Sequence, residues 1–355
     1  MKTIQYMGSK KNLIPNLLKT VKGISSKGAF FDVFSGSGRV AYALKDTYKV
    51  IANDKQAITK AILDCYMCNT QDSSYYVPYI QHLNSLDGFY GWFSEMYSID
   101  TKDYSVDKYG NPKLWQPHVA NKVDAIRLEI DKIANNEIEK STLLTALVLA
   151  CSKVSNTLGH QNGYLKKWAK CTYNPLMLEV PEVQPTKTKH IIHNSDVFSI
   201  IDSVACDIAY FDPPYGTSNQ NLSVSTRYSS FYHVWNTIVK NDKPATFGKA
   251  NKPLYTKGFT EPLEKNKIDI VKPLFLDLIK RVQTDNVLFS YSNQGLLKWT
   301  DFLDISSALH CAEIAKTEIP HKKNNQSKTA LKDGLFISDA KTREPLCEWL
   351  ITIKK

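Results

Sequence analysis

Short apolar runs broken by turn-forming residues mark the start of the chain. Ala29-Phe30-Phe31-Asp32-Val33-Phe34 predicts a buried strand, Ser35-Gly36-Ser37-Gly38 a turn, and residues 40–45 a helix. Val50-Ile51-Ala52-Asn53 predicts a second strand ending at Asp54, and residues 57–68 return to helical spacing through Ile58, Ile62 and Cys65. Strand, glycine turn, helix, strand is the order of a doubly wound nucleotide-binding sheet. From about residue 65 to 190 the texture changes. An aromatic-rich segment (Tyr75, Tyr76, Tyr79, Phe89, Tyr90, Trp92, Phe93, Tyr97) leads into two helices. One runs through Val123, Ile126, Ile130 and Ile133; the other, through Leu144, Leu147 and Val148, takes Ser141 as its N-cap. A basic, turn-prone stretch, 156–174, closes the region, and strand-like runs return at 190–193, 207–211, 286–290 and 348–353. The pattern predicts one α/β sheet, residues 1–64 and 191–355, interrupted by a mostly helical insertion, 65–190.

Composition narrows the class. The chain has 355 residues, 43% of them hydrophobic, which suffices for a sizeable core. No apolar run nears the roughly 18 residues of a membrane span, and Met1-Lys2-Thr3-Ile4-Gln5-Tyr6 lacks a signal-peptide apolar core. Seven scattered cysteines, with Cys65 and Cys68 as a lone C-x-x-C, predict reduced thiols and no metal site. A soluble cytoplasmic protein without a membrane partner is expected. The formal net charge, +10, suits a polyanion, since neutralising phosphates releases counterions. Its distribution matters more. Residues 151–175 carry Lys153, Lys166, Lys167 and Lys170 and no acid; residues 316–332 carry five lysines against Glu318. Residues 217–280 hold ten Lys and Arg against five Asp and Glu. Each cluster alone reads equally as solvated surface.

Two segments carry chemistry. A glycine turn after a strand brings backbone N–H groups close to a ligand, although packing also demands glycine there. Asp54, 18 residues after Gly36, ends the second strand where a carboxylate accepts both ribose hydroxyls of an adenosine. The turn departs from G-x-G-x-x-G, having Tyr42 and no third glycine, so a nucleoside lacking pyrophosphate fits better than a dinucleotide. S-adenosylmethionine is such a ligand. The second segment is Asp212-Pro213-Pro214-Tyr215, delivered by the run 207–211 to the carboxyl edge of the sheet. Two prolines fix φ twice and remove two donors. The tetrad arises by chance in on the order of one chain per thousand. Its residue types suit methylation of an aromatic amine, whose lone pair is delocalised into the ring. Asp212 and the Pro213 carbonyl, accepting N–H bonds, would pull such a nitrogen toward tetrahedral geometry and stabilise the positive charge that develops. Tyr215 offers a face for a base swung out of a duplex.

In motif order as well as motifs, the chain resembles the D12-class (alpha-group) N6-adenine-specific DNA methyltransferases. Tyr6-Met7-Gly8-Ser9-Lys10 looks like the family's N-terminal cofactor motif, Phe34 to Gly38 its glycine motif, Asn53-Asp54 its ribose motif and Asp212 to Tyr215 its catalytic motif. Asn194-Ser195-Asp196-Val197-Phe198 resembles the segment holding the cofactor's adenine. Phe289-Ser290-Tyr291-Ser292-Asn293 resembles a later sheet motif, and Glu348-Trp349-Leu350-Ile351-Thr352 the final strand. The resemblance implies a Rossmann-like S-adenosylmethionine-dependent sheet with residues 65–190 as its target-recognition domain. It implies that Tyr6 packs on the cofactor, that Gly8, Lys10, Asp32, Phe34, Gly36, Gly38 and Val197 line its pocket, and that Asp54 binds the ribose. Asp196 would bind the adenine amino group, and Asp212 would sit between methionine moiety and target base. It further implies a bacterial, archaeal or phage enzyme acting on double-stranded DNA, as a solitary methylase or beside a cognate restriction endonuclease, with no oligomer required.

Lys10, Lys153, Lys166, Lys167 and Arg227 are candidate DNA contacts. The polar run 217–227 suits a loop against a flipped base or the backbone, whereas 231–239, with Tyr232 and Trp235, reads as a core helix. Two other functions fit parts of the sequence. One is an RNA or protein amino-group methyltransferase using the same tetrad; the large insertion before Asp212 favours the DNA group. The other is a non-catalytic nucleotide-binding regulator, which gives the tetrad no task.

Overall fold

The structure, a computed structural model, describes residues 1–8, 10–217, 227–320 and 345–355. It is a mixed α/β protein whose central strands run mostly parallel. The chain divides into two compact units. One comprises Met1–Ile14, Ser35–Ser199 and Thr226–Glu261; the other comprises Pro15–Phe34, Ile200–Ser225 and Pro262–Lys355.

In the second unit, strand Ala29–Asp32 lies parallel to Ile208–Phe211, with Asp32 opposite Tyr210. Ile208–Phe211 in turn lies parallel to Asn286–Ser292, with Phe211 opposite Phe289. All four residues of Ile208–Phe211 are buried, as a strand covered on both faces requires, and its run of apolar residues without alternation has that cause. Cys347–Lys354 continues the sheet antiparallel to Asn286–Ser292, and Glu313–Pro320 pairs antiparallel beyond it. Helices Ile14–Ile24, Ile268–Arg281 and Trp299–Ala308 belong to the same unit in whole or nearly so.

In the first unit, Lys49–Asn53 lies parallel to Ile191–His193. Helix Ala57–Met67, buried at every position but Lys60, packs against Glu137–Lys153 and His233–Lys240. Helix Pro117–Ile133 joins this core through Val119, Val123, Ile126 and Ile130. Its buried Arg127 donates to the carbonyls of Ile238 and Val239, satisfying the C-terminal end of His233–Lys240, while Asp131 balances the charge at 2.8 Å. The second helix of the expected insertion starts a turn earlier than Ser141. Asn136 is the cap, its Oδ1 accepting from the N–H groups of Ile138 and Glu139, and Ser141 is instead buried within the helix, 3.2 Å from Asp64. Among the described residues no helix is long and apolar enough to cross a membrane, and no cluster of His, Cys, Asp or Glu is arranged to hold a metal.

Candidate functional site

The glycine turn is assembled around Asp54. The Gly36 N–H donates to Asp54 Oδ2 at 2.7 Å and the Gln56 N–H to Oδ1 at 2.8 Å, so both carboxylate oxygens are fixed at the end of Lys49–Asn53. The Thr59 hydroxyl donates to the Gly36 carbonyl at 2.6 Å, and the Ser35 N–H to the Asn53 carbonyl at 2.9 Å. Gly36 has φ +51°, and a Cβ there would stand 3.1 Å from the Tyr6 ring. Gly38, at φ +73°, begins helix Arg39–Leu44, and a Cβ there would meet Leu63 at 2.6 Å. Left-handed backbone and close neighbours both call for glycine at these two positions. Burial pushes the Asp54 carboxyl up to about 6 against the lowering effect of its two backbone donors.

Tyr6 stacks on Tyr232 with ring centroids 4.4 Å apart and on Tyr228 at 5.7 Å. The Met7 N–H donates to the Tyr232 hydroxyl at 2.7 Å, and Lys10 Nζ donates to the Gly8 carbonyl at 3.0 Å. Asn194 donates to the Asp54 carbonyl at 2.8 Å, which sets the following segment beside Asp54. Asp196 Oδ1 accepts from the Phe198 N–H, and Oδ2 from Lys55 Nζ, both at 3.0 Å; Val197 behind it is buried. Lys55 also pairs with Glu261 at 2.8 Å. Tyr6, Gly8, Lys10, Gly36, Gly38, Asp54, Asp196 and Val197 are thus linked in one neighbourhood of the first unit. Tyr228 and Glu261 join them unforeseen, since nothing in sequence spacing ties positions so far apart, and so does Lys55, next to Asp54 in sequence, through its pairs with Asp196 and Glu261.

The tetrad belongs to the second unit, directly after Ile208–Phe211. The Tyr215 carbonyl accepts from the Leu296 N–H at 2.8 Å and from the Tyr291 hydroxyl at 2.7 Å. The Thr217 N–H donates to Asn266 Oδ1 at 2.8 Å, and Asn266 Nδ2 donates back to the Thr217 hydroxyl at 3.0 Å. The Tyr215 hydroxyl reaches Asp212 Oδ1 at 2.7 Å and Glu348 Oε1 at 2.5 Å, and its ring lies 4.7 Å from that of Tyr291. Burial, then Asp212 and Glu348, hold the Tyr215 phenol well above its ordinary range. Asp32 is buried on the adjoining strand, and Phe34 sits 6.2 Å from Phe211. Asn266, Tyr291 and Glu348 complete this loop; the later sheet motif and the final strand pointed to the last two, and no sequence signal pointed to Asn266.

Of the candidate nucleic-acid contacts, Lys166 and Lys167 are exposed, and Tyr104 pairs with Lys167 across an antiparallel bridge, the Lys167 ammonium 5.3 Å from the Tyr104 ring. Lys153 is bound by Glu179 at 2.5 Å. Arg227 is exposed and precedes helix Tyr228–Phe231. Ser9, residues 218–226 of the polar run and 321–332 of the basic stretch lie outside the described residues.

Known proteins similar to this chain are DNA modification enzymes. The chain is 26% identical over 327 residues to modification methylase LlaI of Lactococcus lactis subsp. lactis, covering 89% of this chain and 50% of that protein. It is 26% identical over 312 residues to type II methyltransferase M.FokI of Planomicrobium okeanokoites, covering 83% and 45%. With type II methyltransferase M.NlaIII of Neisseria lactamica it shares 27% over 327 residues, covering 89% and 91%. The chain therefore spans about half the length of the first two. The model of the D12 class N6 adenine-specific DNA methyltransferases matches residues 6–287, and the chain belongs to that family.

Proposed function

We propose that this protein transfers a methyl group from S-adenosylmethionine to N6 of an adenine swung out of duplex DNA, as the modification enzyme of a restriction–modification system. The observation that carries this is the Asp212–Tyr215 turn, held at the carboxyl end of a buried strand with its last carbonyl doubly bonded. Asp212 and the Pro213 carbonyl accept the two N6–H bonds, localising the lone pair and stabilising the charge that appears on nitrogen. No base is needed before transfer, because the N–H proton becomes acidic only afterwards.

The first unit's residues fit the cofactor. Asp54 keeps a free lone-pair direction on each oxygen for a ribose hydroxyl, the Gly36 turn leaves no Cβ in the way, and Asp196 presents a carboxylate for an adenine amino group. When bound, S-adenosylmethionine supplies an electrophilic methyl group on a sulfonium. The protein's part is to fix its ribose and adenine and to hold the amine in line. The test is direct: expressing the chain in a host without adenine methylation and sequencing its DNA should reveal N6-methyladenine confined to one short sequence. Host DNA that stays unmodified, with active purified protein labelling only RNA or protein, overturns the proposal.

Residues 65–190 are proposed to read the DNA, through their exposed loops. Tyr104 and Tyr109 are 54% and 75% exposed, with the ammonium groups of Lys167 and Lys108 over their rings at 5.3 and 5.0 Å. Such pairs offer phosphate-binding charge beside a stacking surface. Replacing Lys166 and Lys167 together by alanine is expected to lower the slope of log affinity against log salt by about 2, since each phosphate contact contributes nearly one. An unchanged slope in titrations from low to moderate salt removes these lysines from the interface.

A further inference from the structure

A hairpin in the first unit holds its tip rigidly and turns that tip to solvent. Val106 pairs with Pro112 across an antiparallel bridge, and the Lys113 N–H donates to the Ser105 carbonyl at 2.6 Å. The root is buried: Ser105 has no exposed surface, its N–H donates to the Lys166 carbonyl at 3.0 Å, and its hydroxyl donates to the Leu165 carbonyl at 2.6 Å. Asp107 clamps the tip. Its Oδ1 accepts from the N–H groups of Tyr109 and Asn111, both at 2.9 Å, and its Oδ2 from Asn111 Nδ2 at 3.2 Å. Its carbonyl accepts from the Gly110 N–H at 2.8 Å, and its N–H donates to the Asn111 carbonyl at 2.9 Å. Gly110 has φ +76°, and a Cβ there would meet nothing within 4 Å, so backbone conformation and not crowding asks for glycine.

What the turn displays stands outside the core. Tyr109 is 75% exposed, and the Lys108 ammonium lies 5.0 Å from its ring centroid. Residues 101–113 and 165–173, joined at Ser105 and at the Tyr104–Lys167 bridge, carry six lysines against Asp103 and Asp107. The Asp107 carboxylate faces into the turn, so the surface charge favours a polyanion. Yet the tip is poor in groups that tell bases apart. Base edges are distinguished best by bidentate side chains such as those of Arg, Asn and Gln. The one such residue here, Asn111, commits its amide nitrogen to Asp107. Lys108 brings a point charge, and Tyr109 an apolar face with one hydroxyl.

Resting on the DNA methylation proposed above, we propose that this tip grips the sugar–phosphate backbone of duplex DNA without reading its sequence. Lys108 meets a phosphate, the Tyr109 ring lies against the adjoining deoxyribose, and Asp107 is the positioning residue that holds both in place. Contacts of this kind fix register and orientation, and base recognition falls to other exposed positions of residues 65–190. A tip ordered beforehand loses little freedom on binding, so the clamp acts directly on affinity.

The test is binding of the full chain, with S-adenosylhomocysteine present, to two labelled duplexes followed by anisotropy. One duplex carries the sequence that the parent methylates, and the other carries it scrambled. Tyr109→Ala should weaken both by the same factor, about fivefold, which is what ~40 Å² of buried apolar surface contributes. The ratio of the two affinities should stay within about twofold of the parent's, since backbone contacts carry no sequence information. Tyr109→Phe should bind as the parent does, because the ring and not the hydroxyl makes the contact. Lys108→Ala should lower the slope of log affinity against log salt by about 1. Asp107→Glu keeps the charge but misplaces the clamp, and Gly110→Ala strains the turn; each should reproduce most of the Tyr109→Ala loss and add little to it in combination. Parental binding by Tyr109→Ala overturns the grip, as does a loss confined to the methylated sequence, or one seen on RNA and absent on duplex DNA. Parental binding by both turn variants removes Asp107 as the positioning residue. Should a turn variant fail to fold, Tyr109→Ala and Lys108→Ala, which alter only the exposed tip, decide. A parent that neither binds nor methylates duplex DNA overturns the proposed function and the grip with it, whereas an active parent with unaffected variants overturns the grip alone.

Discussion

Replacing Asp212 by alanine is expected to lower the single-turnover rate of methyl transfer by at least about 10³-fold, because one preorganised group aimed at developing charge contributes 10²–10³ and the proposed mechanism has Asp212 also localise the attacking lone pair. S-adenosylmethionine affinity should largely survive, since Asp54, Tyr6 and the glycine turn do not depend on Asp212 for any contact described. Asp212→Asn sharpens the result. It preserves shape and one acceptor oxygen, yet turns a donor toward the amine or toward Tyr215, and removes the charge. It should be nearly as inactive as alanine. Rapid-quench measurement of N6-methyladenine, beside calorimetric titration of the cofactor, separates chemistry from binding. A variant within tenfold of the parental rate would remove Asp212 from the mechanism.

The second large effect concerns Asp54. Its carboxyl titrates near pH 6 in the folded protein against an ordinary value of 3.8, burial being the main cause. Ribose hydroxyls donate, so they bind the ionised form. Cofactor affinity should hold above pH 6 and weaken as pH falls through it, by up to about tenfold per unit once protonation must be reversed. Stability runs the other way. A carboxyl raised in the folded state binds more protons there than in the unfolded chain between pH 6 and 3.8, so this group's contribution favours folding as pH drops across that window. Asp54→Asn should bind about 10²-fold more weakly, the scale of two lost charge-assisted hydrogen bonds, and its affinity should no longer depend on pH between 5 and 7. Titration calorimetry across that range checks both. A variant whose affinity still falls on acidification would place the titrating group elsewhere.

Much of this arrangement is legible in the sequence because it is local. Strands such as Ile208–Phe211 are short apolar runs ended by Asp-Pro-Pro, and the turn at Gly36 and Gly38 sits between a buried strand and a helix. Burial on both faces erases alternation but leaves the run itself visible. Other elements are hidden for definable reasons. Among the described residues Glu313–Pro320 pairs on one side only, and it mixes Glu313, Lys316, Thr317 and Glu318 with two isoleucines, so it has neither a clean alternation nor an apolar run. The Glu137–Lys153 helix is capped by Asn136 and not by the expected Ser141; both are capping residue types, so propensity alone does not separate them. The contacts of the Asp212–Thr217 loop are hidden for a different reason. Asn266 lies 49 residues from Thr217 and Glu348 lies 133 from Tyr215, so only the fold makes them neighbours.

The clamp on the Asp212–Tyr215 loop also bears on how such enzymes diversify. Its hydrogen-bond partners, Asn266, Tyr291, Leu296 and Glu348, belong to the same compact unit as the loop, whereas the proposed reading surface around Tyr104 and Lys167 belongs to the other. Substitutions that retune which sequence is methylated therefore need not pass through side chains that hold the loop. A lineage can change the address it marks while inheriting the reaction intact, which makes the recognition surface the natural target for selection and for engineering alike.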